Sequence, residues 1–309
     1  MSLKIAKSTK ENSRRKRTRI ESLTAFAFVL PALLIVIIVL IYPVLFNFNL
    51  SLRSWSLFDL PQDRGAFIWL ENFQKVVTNS RFQNALIVTV KFMLGTVIIE
   101  YILGLVIALL LNSKFKGRDF FRTIFMLPMM MAPVVIAIQW KYLLSGSFGV
   151  INHTISVLGF NPPSWLSQPG LTLWTIIFVD VWAYVPFVAI ILLAGLQNIP
   201  DDLYEAARVD GANPWQQILY ITLPLLKPAT ILALLIRATE VFKTFELIYV
   251  LTGGGPADST EVLGLFAYRV AFSEGSLGKA SAIAVFIAII GTVIGTMLIY
   301  TIKTDKKVI

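Results

Sequence analysis

The sequence predicts an all-α, polytopic membrane protein with six transmembrane helices, and three observations carry that prediction. Of the 309 residues, 56% are hydrophobic and only 15% are charged, against about 25% charged in a typical soluble domain. The mean hydropathy is +0.74. Six apolar runs lie near residues 23–48, 84–112, 123–145, 171–195, 225–251 and 279–302. Each is long enough to cross about 30 Å of hydrocarbon at a helical rise of about 1.5 Å per residue.

The first run follows a basic stretch (Lys4, Lys7, Lys10, Arg14, Arg15, Lys16, Arg17, Arg19). It is longer than the core of a cleaved leader, so it reads as an uncleaved helix behind a topology anchor. The third run carries Pro128 and Pro133 and the fourth Pro186, which predicts kinks whose freed carbonyls are satisfied by neighbouring helices. The chain thus divides into a basic tail (1–22), a membrane domain (23–303) and a short tail (304–309).

Orientation follows from the Lys and Arg residues in the connections. Seventeen of the 27 fall on the side of the two termini, among them Lys114, Lys116, Arg118, Arg122, Arg208 and Lys227. Five fall on the other side: Arg53, Arg64, Lys75, Arg81 and Arg269. Both termini and the 196–224 loop are therefore expected to be cytoplasmic. The exterior connections, 49–83, 146–170 and 252–278, are too short for independent domains.

The net charge of +9 reads as this topological bias rather than as a nucleic-acid surface. The absence of cysteine excludes disulfides and thiol chemistry. A lone His153, placed in an exterior loop, offers no His-ligated metal cluster and no triad. Asn152-His153-Thr154 fits the glycosylation acceptor pattern by chance. Gly253-Gly254-Gly255-Pro256 lacks the Lys-Ser/Thr of a phosphate cradle and reads as a tight turn.

The loop from 196 to 224 carries its own local signals. Pro200-Asp201-Asp202 starts a helix, because Asp caps well and acidic residues suit the first turn. Gly211 suits the left-handed residue that ends it. Asn213-Pro214 starts a second short helix, which Pro224 is expected to close. The product is a helix–corner–helix at the membrane surface. Ala206 and Ala207 allow close approach of another protein, and Glu205, Arg208 and Asp210 offer it charge. A plain amphipathic connector would carry the same signals.

Glu205-Ala206-Ala207, Asp210-Gly211-Ala212 and Ile221-Thr222-Leu223-Pro224 together resemble the EAA signature of binding-protein-dependent ABC importer permeases. The likeness extends over about residues 25–300. Asn112 to Gly117 with Phe121-Arg122 and Pro128 is similar to that family's early connection, and Gly195 to Pro200 to its lead into the loop. Leu251 to Pro256, Thr260-Glu261 and Tyr268-Arg269 resemble the first permease of maltose- and glycerol-3-phosphate-type sugar systems. One departure is Ile218, where that family often has an aromatic residue.

The resemblance implies a methionine-importer-like permease fold and a location in a bacterial or archaeal cytoplasmic (inner) membrane. It implies that Glu205, Ala206, Ala207, Asp210 and Gly211 form the surface that docks into the ATPase. The implied partners are a second homologous permease, two ATP-binding subunits, an extracytoplasmic solute-binding protein, a sugar substrate and membrane lipid, with no nucleic acid. This chain would bind no cofactor and catalyse no reaction itself; ATP and Mg belong to the partner subunits.

Ionisable side chains in hydrocarbon are costly and either pair or line a cavity. The sequence places Lys91, Glu100, Asp180, Arg237, Glu240, Lys243 and Glu246 within spans. Asp180 lies about 14 Å from the exterior and Arg237 about 18 Å from the cytoplasm by helical rise, both near the midplane. Asp180, Tyr184 and Phe187 share one helix face, and Arg237, Glu240, Val241 and Thr244 another. These two faces either contact the substrate or form an ion-pair network between helices. A secondary transporter driven by an ion gradient, with Asp180 and Glu100 carrying protons, is the alternative function. Six spans without an inverted repeat are few for such folds.

Overall fold

The structure, a computed structural model, describes residues 26–60, 65–113 and 115–305. The basic tail, Arg64, Lys114, Lys306 and Lys307 lie outside the described residues. We number the helices α1 (Phe26–Ser51), α2 (Glu71–Val77), α3 (Ser80–Asn112), α4 (Arg118–Met130), α5 (Pro133–Leu143) and α6 (Val150–Val157). They continue with α7 (Leu171–Gln197), α8 (Asp201–Val209), α9 (Pro214–Phe242), α10 (Glu246–Leu251), α11 (Leu263–Phe272) and α12 (Leu277–Asp305). Among the described residues there is no strand, only isolated bridges joining Arg53 to Phe67 and Ser56 to Ser276.

Among the described residues, five helices, α1, α3, α7, α9 and α12, are long and apolar enough to cross a membrane, and the bent pair α4–α5 makes a sixth crossing if it counts as one span. The third run therefore differs from a simple kinked helix. Its two halves meet at 96°. Pro128 opens a 3₁₀ turn, and Ala132 is extended ahead of Pro133 at the start of α5. A residue before proline is driven out of the α region, so the helix ends there.

The fifth run also departs from expectation. Pro224 does not close a short helix; α9 runs from Pro214 through Pro224 and Pro228 to Phe242. The turn before Pro224, Ile218–Thr222, is a π-helix in which the Leu223 N–H reaches the Ile218 carbonyl. The wider turn lets the proline ring pass the carbonyl it would strike in an α-helix. Residues 243–251 do not continue this span: the chain breaks after Phe242 and resumes as α10. Lys243 and Glu246 thus lie beyond the end of the spanning helix. His153 sits on α6 rather than in a loop, and the neighbouring Asn152 is buried, accepting from Trp165 Nε1 at 2.7 Å.

The core is built around α7, of which about two thirds of the most apolar window is buried. It packs closely on α3 and α9 because glycines stand at the crossings. A Cβ on Gly104 would lie 2.8 Å from Val188 Cγ1, and one on Gly195 would lie 2.6 Å from the Ala229 Cβ. Gly104→Leu is accordingly expected to cost about 1–3 kcal/mol by overpacking. Unfolding in mixed micelles would measure it; wild-type stability would show that the helices can separate freely there. Trp140 is buried edge-on against Phe178 and Trp182, ring centroids 5.3 Å away in each case.

At the end of the molecule away from α8, Glu261 is fully buried and held from two sides. Arg81 grips it with Nε at 2.7 Å and Nη2 at 2.8 Å, and Arg269 Nη1 lies 2.6 Å away. Arg269 also bonds Asp258 and donates to the Gly253 carbonyl. The triple-glycine turn is thus pinned by an arginine in the last turn of the neighbouring α11.

Candidate transport cavity and docking helix

Three helices bring one charged residue each to the centre of the bundle. Arg237 on α9 donates from Nε to Glu100 Oε2 at 2.8 Å and from Nη2 to Glu100 Oε1 at 2.7 Å. The same Nη2 donates to Asp180 Oδ1 on α7 at 2.6 Å. All three side chains are buried. A planar guanidinium suits this geometry, because two of its edge donors match a carboxylate fork. Tyr184, one turn from Asp180, lies with its ring centroid 4.3 Å from the guanidinium carbon, a cation–π contact.

Two members of the triad, Asp180 and Arg237, also form the floor of a cavity of about 270 Å³, with Glu100 buried behind them. Its walls are Pro133 and Ile136 of α5, Asp180, Ala183 and Tyr184 of α7, and Arg237 and Glu240 of α9. Lys243, Thr244, Glu246 and Leu247 close it near the α9–α10 break. Glu240 and Lys243 are both exposed and lie 3.8 Å apart. Three carboxylates (Asp180, Glu240, Glu246) and two cations (Arg237, Lys243) thus line it, with Glu100 bonded to Arg237 from behind. Of the residues expected on these two faces, Asp180, Tyr184, Arg237, Glu240 and Thr244 line the cavity. Val241 is instead buried in the apolar core, and Phe187 is half-buried outside the lining. A helix face wider than the cavity explains both. The ion-pair network and the cavity wall are one structure here.

Glu100 is the residue whose place the sequence left open. Its depth in the apolar run 84–112 is visible in the sequence, but hydropathy gives depth and not which helix stands opposite.

The 196–224 connection has a different character. Pro200 caps α8 with extended backbone, and α8 buries none of its residues. Glu205, Ala206, Asp210 and Gly211 are exposed, and Ala207 is half-buried. Gly211 has a left-handed φ of +80° with open space where a Cβ would point. Asn213 and Gln216 then form a reciprocal capping box at the start of α9. The five residues Glu205, Ala206, Ala207, Asp210 and Gly211 therefore lie on one helix and the corner after it.

A bundle of spanning helices with a polar mid-depth cavity and a projecting helix–corner is the build of a membrane transport subunit. The family model described as binding-protein-dependent transport system inner membrane component matches residues 100–304. The chain belongs to that family, as a multi-pass inner-membrane permease subunit of an ABC importer and not an enzyme. It is 39% identical over 265 residues to the trehalose/maltose transport system permease protein MalF of Thermococcus litoralis, covering 86% of this chain and 88% of that one. It is 34% identical to the trehalose transport system permease protein SugA of Mycobacterium tuberculosis, over 85% of this chain and 83% of that one.

Among solved structures, the chain matches a bacterial ABC transporter involved in the import of the acidic polysaccharide alginate. The TM-score is 0.79 at 27% identity, over 93% of this chain and 98% of that one. A second alginate transporter structure, in complex with an alginate pentasaccharide-bound periplasmic protein, matches with a TM-score of 0.78 at 25% identity, over 91% and 94%. The MetNI methionine transporter, 16% identical with a TM-score of 0.54, shares the fold alone. The ion-gradient alternative receives no support from these relatives.

Proposed function

We propose that this chain is one of two homologous permeases in an ATP-driven importer of saccharides, and that its solute passes through the cavity above Arg237. The observation that carries this reading is that cavity: polar groups and the Tyr184 ring face an opening at mid-depth. Tyrosine faces and clustered hydrogen-bonding groups suit sugar rings. The excess of carboxylates around it favours an uncharged saccharide over an anionic one. The trehalose, maltose and alginate systems named above support the solute class.

In this reading the termini and the α8 connection face the cytoplasm. Glu205, Ala206, Ala207, Asp210 and Gly211 dock on an ATP-binding subunit, which supplies ATP and Mg chemistry. An extracytoplasmic binding protein delivers the solute at the opposite end. The exposed, capped α8 and its open corner support the docking role. The test is reconstitution in proteoliposomes with the second permease, the ATPase and the binding protein, and a panel of labelled di- and oligosaccharides. Uptake is expected to require internal ATP and the binding protein. Uptake driven by an ion gradient without ATP, or of no saccharide at all, would overturn the proposal.

A further inference from the structure

Among the described residues, Tyr204 joins the projecting helix to the body of the protein by packing and by a side-chain hydrogen bond. On α8, Tyr204 is the residue that packs into the apolar cluster containing Leu193, Leu196 and Leu226. Its hydroxyl lies 3.0 Å from Thr222 Oγ1, and Thr222 Oγ1 in turn lies 3.3 Å from the Gln217 carbonyl. With Thr222 donating to that carbonyl, Tyr204 donates to Thr222. Thr222 is buried and closes the π-turn of α9. The other bonds of this connection, from the Ala212 N–H to the Ala207 carbonyl and from Gln217 Nε2 to the Ala212 carbonyl, hold the corner itself. They do not tie the middle of α8 to the membrane section.

The partner of that bond is well placed. Thr222 and Arg237 lie on one continuous helix, about 22 Å apart by helical rise. Arg237 is bonded to α3 and α7 at the cavity floor. A displacement of α8 that reaches Thr222 is therefore passed along this continuous helix toward the cavity.

We propose that Tyr204 is a positioning residue for energy coupling. Its hydroxyl on Thr222 is the joint through which movement of α8 is passed to α9. Without the bond, α8 is held by its chain ends and the packing of the Tyr204 ring, with no directional tie to α9, and Gly211 supplies a left-handed corner about which it turns. This rests on the reading that α8 docks on the ATPase.

The experiment uses the complete reconstituted transporter and measures solute imported per ATP hydrolysed. Tyr204→Phe keeps the ring and removes the hydroxyl; Thr222→Val removes the acceptor at nearly constant volume; Thr222→Ser retains it. The first two are expected to assemble with the ATPase as wild type does. Each should lower the solute imported per ATP at least about fivefold, the ratio that corresponds to one hydrogen bond. Thr222→Ser should stay near wild type, and the double variant should be no worse than either single one. A purely structural role would lower the amount of complex and leave the ratio untouched. Unchanged stoichiometry in assembled Tyr204→Phe, or additive losses in the double variant, would overturn the proposal. If Tyr204→Phe does not assemble, the difference between Thr222→Val and Thr222→Ser decides. The docking reading is tested separately by Glu205→Arg. If that variant keeps both association and uptake, docking fails and the joint with it. If it dissociates while Tyr204→Phe stays fully coupled, only the joint is overturned.

Discussion

Replacing Arg237 by leucine is expected to destabilise the fold by about 3–5 kcal/mol, because two carboxylates are left buried without their cation. Glu100 loses both of its bonds to the guanidinium and Asp180 loses one. Tyr184 also loses the charge beneath its ring. The defect arises from the stranded charges and not from lost packing, which a second variant separates. Glu100→Met, Asp180→Leu and Arg237→Met together remove all three charges and should recover stability to within about 1 kcal/mol of wild type, since apolar replacement of a whole buried ion set is often neutral. Denaturant titration in mixed micelles measures both. Wild-type stability of Arg237→Leu would mean that water reaches the triad freely. A triple variant as unstable as the single one would mean that volume, not charge, sets the cost.

The second large effect is expected on the projecting corner. If α8 docks as proposed, Glu205→Arg combined with Gly211→Val should weaken association with the ATPase by about 2–4 kcal/mol, roughly 30- to 1000-fold, through charge reversal on the contact surface. Valine at a left-handed φ adds about 1–2 kcal/mol of local strain. The fold should survive, because Glu205 is exposed and nothing lies within contact of a side chain at Gly211. Co-purification with the ATPase and thermal unfolding of the isolated permease read the two effects apart. Retained association with retained uptake would reduce the corner to a connector.

The corner was largely legible because its signals are local. Gly211, Asn213 and Pro214 each announce a helix end through their own backbone chemistry, and Asp201 and Asp202 stand in the first turn of α8, although Pro200 and not an aspartate is its N-cap. Spanning helices α3, α7 and α12 were legible from length and apolarity. Two things were not. Pro224 reads as a stop, yet a π-turn beside it carries the helix onward. A local rule for proline does not foresee a change of helix type in the turn before it. The triad was half legible: the sequence gives the depth of Asp180 and Arg237, but their meeting with Glu100 depends on how three helices rotate about their axes. That rotation is set by Gly104 and Gly195, whose missing side chains admit Val188 and Ala229.

The bend between α4 and α5 has a consequence for where water lies. Hydrocarbon tolerates no unsatisfied main-chain dipole, each costing several kcal/mol, so a span that turns through 96° at Met131–Ala132 needs a wet or protein-covered lining at that point. The break after Phe242 makes the same demand. Pro133 and Ile136 beyond the first interruption, and Lys243 and Thr244 at the second, border one and the same cavity. Where this backbone departs from the helix, it marks the hydrated face of the protein; where it runs unbroken, as along α12, it can afford to meet lipid.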